Sequence, residues 1–162
     1  MPASIEGCIY IVIMPDHKLK ADLQKVARQC LARKVRQASR VICSLYDEAL
    51  RPHGIKTSQF NLLVAIGLLS DITPGELGMR FSLEKSTVSR NVERMRVKGW
   101  LESRPKSEAR RGVTYRLSRK GRALMERALP DWNAAEVNAR SLLGKSGVQA
   151  LDELASGVIP GL

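Results

Sequence analysis

The amino-acid sequence predicts a mainly α-helical chain with one small β-hairpin, flanked by helices that associate with a second copy. Three observations predict it. Residues 85–98 carry Val88, Val92 and Met95 at i, i+4 and i+7, one apolar stripe of a helix. Residues 100–104 and 113–117 read as short strands around a basic, turn-rich stretch at 105–112. Leu31, Val35, Ala38, Ile42, Leu45 and Ala49 repeat at three- and four-residue spacing, with no Pro or Gly between residues 21 and 50. Two short helices, a turn, a third helix and a strand–basic loop–strand make a winged helix-turn-helix joined to a helical dimerisation region.

In chain order, residues 1–20 form an N-terminal extension, either a short strand around Ile9, Ile11, Val12 and Ile13 or a poorly ordered segment; Met14 could equally serve as an internal start. Residues 21–50 predict one helix of about 42 Å at 1.5 Å rise per residue. That is long for a small domain and suits packing against a partner chain; Pro52 and Gly54 end it. Thr57 or Ser58 caps a helix over residues 58–69, with Phe60, Leu63, Val64 and Leu68 inward. Thr73-Pro74-Gly75-Glu76 is a capping box with Pro at the first helical position, followed by inward Leu77 and Phe81. Residues 82–84 turn into the helix of residues 85–98, which Gly99 stops. Ser118 caps a second long helix carrying Leu124, Ala128, Trp132, Ala135, Ala139 and Leu142, which Pro130 should kink or break. Ser146 caps a last helix with Val148, Leu151, Leu154, Ala155 and Val158 apolar.

The polar side of residues 85–98 presents Ser86, Thr87, Arg90, Asn91 and Arg94. Hydroxyl and guanidinium groups meet phosphate oxygens, and Arg and Asn also read base edges in a major groove. Charge supports this partner. The chain's net charge is +11; residues 80–122 hold fourteen Lys/Arg against four Glu, and the remainder is close to balanced. A charge run alone reads as a solvated face or a membrane-surface patch, but this one coincides with a helix and a hairpin, so nucleic acid is favoured. Lys106 in the basic loop is expected to contact phosphate. Cys8, Cys30 and Cys43 have no framework spacing, as suits a reducing cytoplasm. With two His and no paired cysteines, no metal site or cofactor is expected. The apolar run at residues 8–14 is too short to span a bilayer and lacks the flanks of a signal peptide.

Several local patterns resemble the MarR family of bacterial transcription regulators. Leu45-Tyr46-Asp47, then Leu50-Arg51-Pro52-His53-Gly54-Ile55 and Gln59-Phe60, look like the end of that family's first helix and the start of its second. Leu77-Gly78, Ser86-Thr87-Val88-Ser89-Arg90, Val92, Met95 and Gly99-Trp100-Leu101 look like its helix-turn-helix, and Leu117-Ser118-Arg119-Lys120-Gly121 like the junction after its wing. The resemblance covers residues 21–160. It implies a homodimer built by residues 21–56 and 119–162, a DNA-binding domain at 57–118, and a palindromic double-stranded DNA operator, with repression the expected outcome. It implies DNA contacts from Ser86, Thr87, Ser89, Arg90, Asn91 and Arg94. In the wing, Arg111 takes the family's minor-groove Arg position with Ala109 where the acid usually stands; aligning Glu108 and Arg110 keeps the acid but adds one residue. It also implies a small-molecule effector, a phenolic or aromatic acid, in a site bordered by Arg40, Tyr46, His53 and Trp132. Each of those four also has a plain structural reading, as core, interface, cap or surface ion pair.

Two other functions compete. A redox sensor would use Cys30, but counting back from Tyr46 places it two residues early, and Thr57 and Phe60 stand where accompanying Tyr residues would lie. Cys30 and Cys43 read more simply as small buried hydrophobes. A small basic enzyme would need a nucleophile elbow, phosphate loop or metal spacing, and the sequence has none. His53 then reads as a helix-end residue, and Asp47 and Glu48 as surface carboxylates.

Overall fold

The computed structural model describes residues 17–105 and 112–158. The chain divides into two compact units, residues 1–39 and 40–162. In the first, α1 spans His17–Gln29 and α2, Leu31–Leu50, begins. The predicted single helix is thus interrupted at Cys30. The interruption is one residue wide: Cys30 N–H still donates to Val26 O (3.0 Å), and Lys34 N–H to Cys30 O (3.2 Å). With no Pro or Gly there, composition carries no signal of it.

The second unit holds the core. After α2 a single 3-10 turn, Arg51–His53, closes on Gly54 in left-handed conformation (φ 67°). α3 (Thr57–Leu69), α4 (Pro74–Phe81) and α5 (Lys85–Val97) follow, then strands β1 (Leu101–Pro105) and β2 (Val113–Leu117), then α6 (Arg119–Val158). Leu50, Phe60, Leu63, Ile66 and Leu77 are essentially fully buried, and Val88, Val92 and Met95 of α5 join them. α3 departs from its predicted face: Leu62 and Ile66 are buried while Leu68 is 75% exposed. Apolar residues occupy most of this helix's circumference, so spacing could not select the inward side.

Caps fix the helix starts. Thr73 Oγ1 accepts from Glu76 N–H (3.2 Å), and Glu76 Oε2 accepts from Thr73 N–H (2.8 Å), the predicted reciprocal box. α3 is capped differently from expectation. Asp47 Oδ1, from the preceding helix, accepts from both the backbone N–H and the hydroxyl of Thr57 at 2.7 Å. Asp47 is therefore a cap supplied from ten residues away rather than an idle surface carboxylate. Glu48 does lie exposed, paired with Arg51 at 3.0 Å.

The hairpin is antiparallel, with Leu101 opposite Leu117 and Pro105 opposite Val113. Ile72, in the short link between α3 and α4, pairs with Tyr115 through two backbone bonds (2.9 and 3.3 Å), so the segment before α4 borders the wing. Arg116 clamps Glu102 across the strands at 2.6 and 3.0 Å. Ser118 joins wing to helix: its hydroxyl donates to Gly99 O (2.6 Å) and accepts from Gly121 N–H (2.9 Å).

α6 corrects a second expectation. Its non-helical residue is Gly144 (φ 66°, ψ 171°), not Pro130, so α6 is two helical segments meeting at Gly144. Pro130 fits because proline's φ is already helical. It deprives only the Glu126 carbonyl of a donor, and both residues lie on the exposed side where water can replace it. Ser146 consequently sits inside the second segment instead of capping it.

Candidate nucleic-acid interface

The turn between α4 and α5 aims the candidate reading face. Ser82 adopts a left-handed conformation (φ 49°), and Leu83 N–H donates to Gly78 O at 2.9 Å. A Cβ on Gly78 would lie 3.0 Å from Leu83 O, so a residue without a side chain lets the chain turn this closely. α5 then buries Val88, Val92 and Met95 at 1% exposure or less. Their burial fixes the rotation of the helix and turns Ser86, Ser89, Arg90 and Arg94 to solvent, with Thr87 and Asn91 half-buried at the edge.

These side chains rest on their own helix. Arg90 Nε donates to Ser86 O (3.2 Å), and Asn91 Nδ2 to Thr87 O (3.0 Å). Both bonds are local and exchangeable, so either side chain can swing to a ligand by rotamer change. Glu93 is the one carboxylate in α5, and Arg96 grips it with two bonds of 2.7 and 2.8 Å. The Arg96 guanidinium holds the Glu93 carboxyl below its usual pKa, so it stays ionised and paired. Lys98 covers the Trp100 ring at 4.4 Å and donates to Gly54 O at 3.0 Å. A cleft of about 590 Å³ lies between the start of α3 and α5, lined by Lys56, Ser58, Asn91, Arg94 and Lys98 among others. Of the predicted wing contacts, Lys106, Arg110 and Arg111 lie outside the described residues; β1 and β2 carry the ends of that loop.

The second set of candidates is partly gathered. Trp132 lies 6.0 Å from Phe60, stacked, and 6.3 Å from Tyr46. Tyr46 Oη donates to Glu136 Oε2 (2.5 Å), Arg140 Nε donates to the other oxygen (2.6 Å), and His53 Nε2 meets Asp131 Oδ2 (2.6 Å). Burial, and then the Glu136 carboxylate, push the Tyr46 hydroxyl up to about 12; the Tyr46 hydrogen bond lowers Glu136 despite its partial burial. Arg40 is exposed, and six residues from Tyr46 put it on another side of α2. Sequence reasoning missed Glu136 and Asp131, the acids that occupy the polar ends of Tyr46 and His53; no local pattern links residues so far apart. The cysteines also differ from expectation: Cys30 is half-buried at the helix interruption and Cys43 is exposed on α2, so neither is a buried hydrophobe.

A helix-turn-helix with an outward polar face, followed by a two-stranded wing, defines a winged helix-turn-helix protein. The comparisons agree with that geometry. A family model described as the MarR family matches residues 53–112. The multiple antibiotic resistance protein MarR of Escherichia coli K12 is 35% identical over 82 residues, 51% of this chain and 57% of that protein. The chain thus spans rather more than half the length of that curated relative. Among solved structures, the transcriptional regulator MosR of M. tuberculosis is 30% identical with a TM-score of 0.67, covering 80% of this chain and 94% of that one. A mutant MarR from E. coli complexed with operator DNA is 27% identical with a TM-score of 0.73, covering 83% and 97%. The chain belongs to the MarR family.

Proposed function

We propose that this protein is a sequence-specific double-stranded DNA-binding transcriptional regulator, acting as a homodimer on a palindromic operator, most simply as a repressor. The observation that carries the reading is the division of α5: one face locked into the core, the other exposing Ser86, Ser89, Arg90 and Arg94, flanked by Thr87 and Asn91. An outward helix of this kind enters a major groove, where Arg reads guanine and Asn reads adenine. The operator-bound E. coli MarR structure, similar over most of both chains, supports the same partner. Lys106 and Arg110 or Arg111 are assigned to phosphates and minor groove. Residues 57–118 are the reader, and residues 21–56 and 119–162 the dimerisation helices. The exposed Val137, Leu142, Leu151 and Leu154 of α6 suit burial against a second copy.

The function is regulation rather than catalysis, in the cytoplasm. No helix among the described residues is long and apolar enough to cross a membrane. An aromatic-acid effector would border Tyr46, His53 and Trp132, competing with Glu136 and Asp131 for their polar ends. The test is selection of bound duplexes from random DNA, followed by stoichiometry. Enrichment of an inverted repeat bound by two chains supports the reading; no enrichment over bulk DNA rejects it.

A further inference from the structure

The near-zero charge balance outside residues 80–122 conceals a second basic block. Residues 17–39, the described part of the first unit, carry seven Lys/Arg against Asp22 alone, a net of +6. The chain outside both blocks is therefore net −5. Every residue from 17 to 39 is exposed except half-buried Cys30. On α1, Lys18, Lys25 and Arg28 stand at i, i+7 and i+10, which places them along one side. Leu19, Leu23 and Val26 line another side at i, i+4 and i+7, 53–60% exposed. On α2, Arg33 and Arg36 are neighbours at i and i+3.

We propose that the cationic side of this segment is a second DNA contact, a helical basic arm that binds backbone phosphates outside the sequence read by α5, while the apolar side with Leu19, Leu23 and Val26 is left to the second copy that residues 21–56 bind. It rests on the DNA-binding reading above. Polyanion chemistry fits the segment better than a bilayer surface does. Helices that lie in a bilayer surface set Trp and Phe beside Leu on the apolar side; residues 17–39 supply Leu19, Leu23 and Leu31 but no Trp, Tyr or Phe. Cations outnumber the large aliphatic side chains, and Gln24, Gln29 and Ser39 among them are phosphate-bonding types. Such contacts carry no sequence information, so they add affinity and salt dependence without changing the site chosen.

The experiment uses the full chain and a variant with Lys18, Lys25, Arg28 and Arg36 each changed to Gln, a good helix former that keeps hydrogen-bonding capacity. Affinity is measured across a salt series on two duplexes carrying the same selected site, one about 20 bp and one about three times longer. The parent is expected to bind the longer duplex more tightly and with the steeper salt slope. The variant should lose that length advantage, with the slope flatter by about 0.9 for every phosphate it no longer neutralises. On the short duplex the two should match, which shows the variant folded and α5 intact. Equal length dependence in both proteins overturns the arm but leaves the reader standing. Loss of site preference by the parent itself would instead reject the reader. Co-sedimentation of the parent with phosphatidylglycerol vesicles, lost in the variant while DNA binding is unchanged, would reassign the segment to a bilayer and overturn the proposal.

Discussion

Gly121 and Ser118 are the residues on which the wing-to-helix junction turns. A Cβ on Gly121 would stand 2.1 Å from Trp100 O, a backbone atom that cannot step aside. Gly121→Ala should destabilise by about 3 kcal/mol or more, the upper end of overpacking costs, read as a lower urea midpoint. Tyr46 and Glu136 give a pH signature. Tyr46 is raised in the fold to about 12, so its contribution is present below its unfolded value of 10.0 and is lost as pH climbs from there towards 12. Glu136 is lowered, so its contribution is present above its unfolded 4.5 and is lost as pH falls below that value. Tyr46→Phe should therefore flatten the fall in melting temperature above pH 10 and weaken the acid-side dependence. An unchanged alkaline limb would mean that the pair does not couple to folding.

At the scale of elements, much is legible in the sequence. The capping box at Thr73 and the stripe of Val88, Val92 and Met95 stand where the residue types place them, because both signals are local and periodic. Proline and glycine act against the sequence expectation in α6. Pro130 has the stronger sequence signal for a break, yet its own φ is helical and water can take the exposed Glu126 carbonyl, so the helix runs through it at a cost and Gly144 turns the chain instead. Pro130→Ala should accordingly stabilise the protein by about 1–3 kcal/mol, by giving the Glu126 carbonyl a backbone donor and by better helix propensity, with no change in the DNA site bound. A lower melting temperature would mean that Pro130 is part of a packed bend. The α3 cap is illegible for the opposite reason: Asp47 acts across ten residues, and only the folded chain brings it to Thr57. The acids that face Tyr46 and His53 are more distant still. The reading face of α5 is recoverable from sequence, since burial of one side fixes the other, and the Glu93–Arg96 pair likewise stands at the local i, i+3 spacing of one helix.

For the whole molecule, a reader is joined to helices with uncovered apolar side chains. Leu151 and Leu154 on the last segment of α6 are 49% and 64% exposed. Light scattering should give a mass of two chains at micromolar concentration, and Leu151→Glu with Leu154→Glu should shift it towards one. A stable wild-type monomer would remove the basis for recognising an inverted repeat. The central claim, that α5 reads base edges, is tested most directly by Arg90→Ala on the selected site and on random duplex at fixed salt. Base reading predicts a specific-site loss of about 1–3 kcal/mol, roughly five- to 150-fold, with a much smaller loss on random DNA. Lys106→Ala is the control and should weaken both alike, as a phosphate contact does. Equal losses on both duplexes for Arg90→Ala would contradict base reading and return that side chain to the DNA backbone.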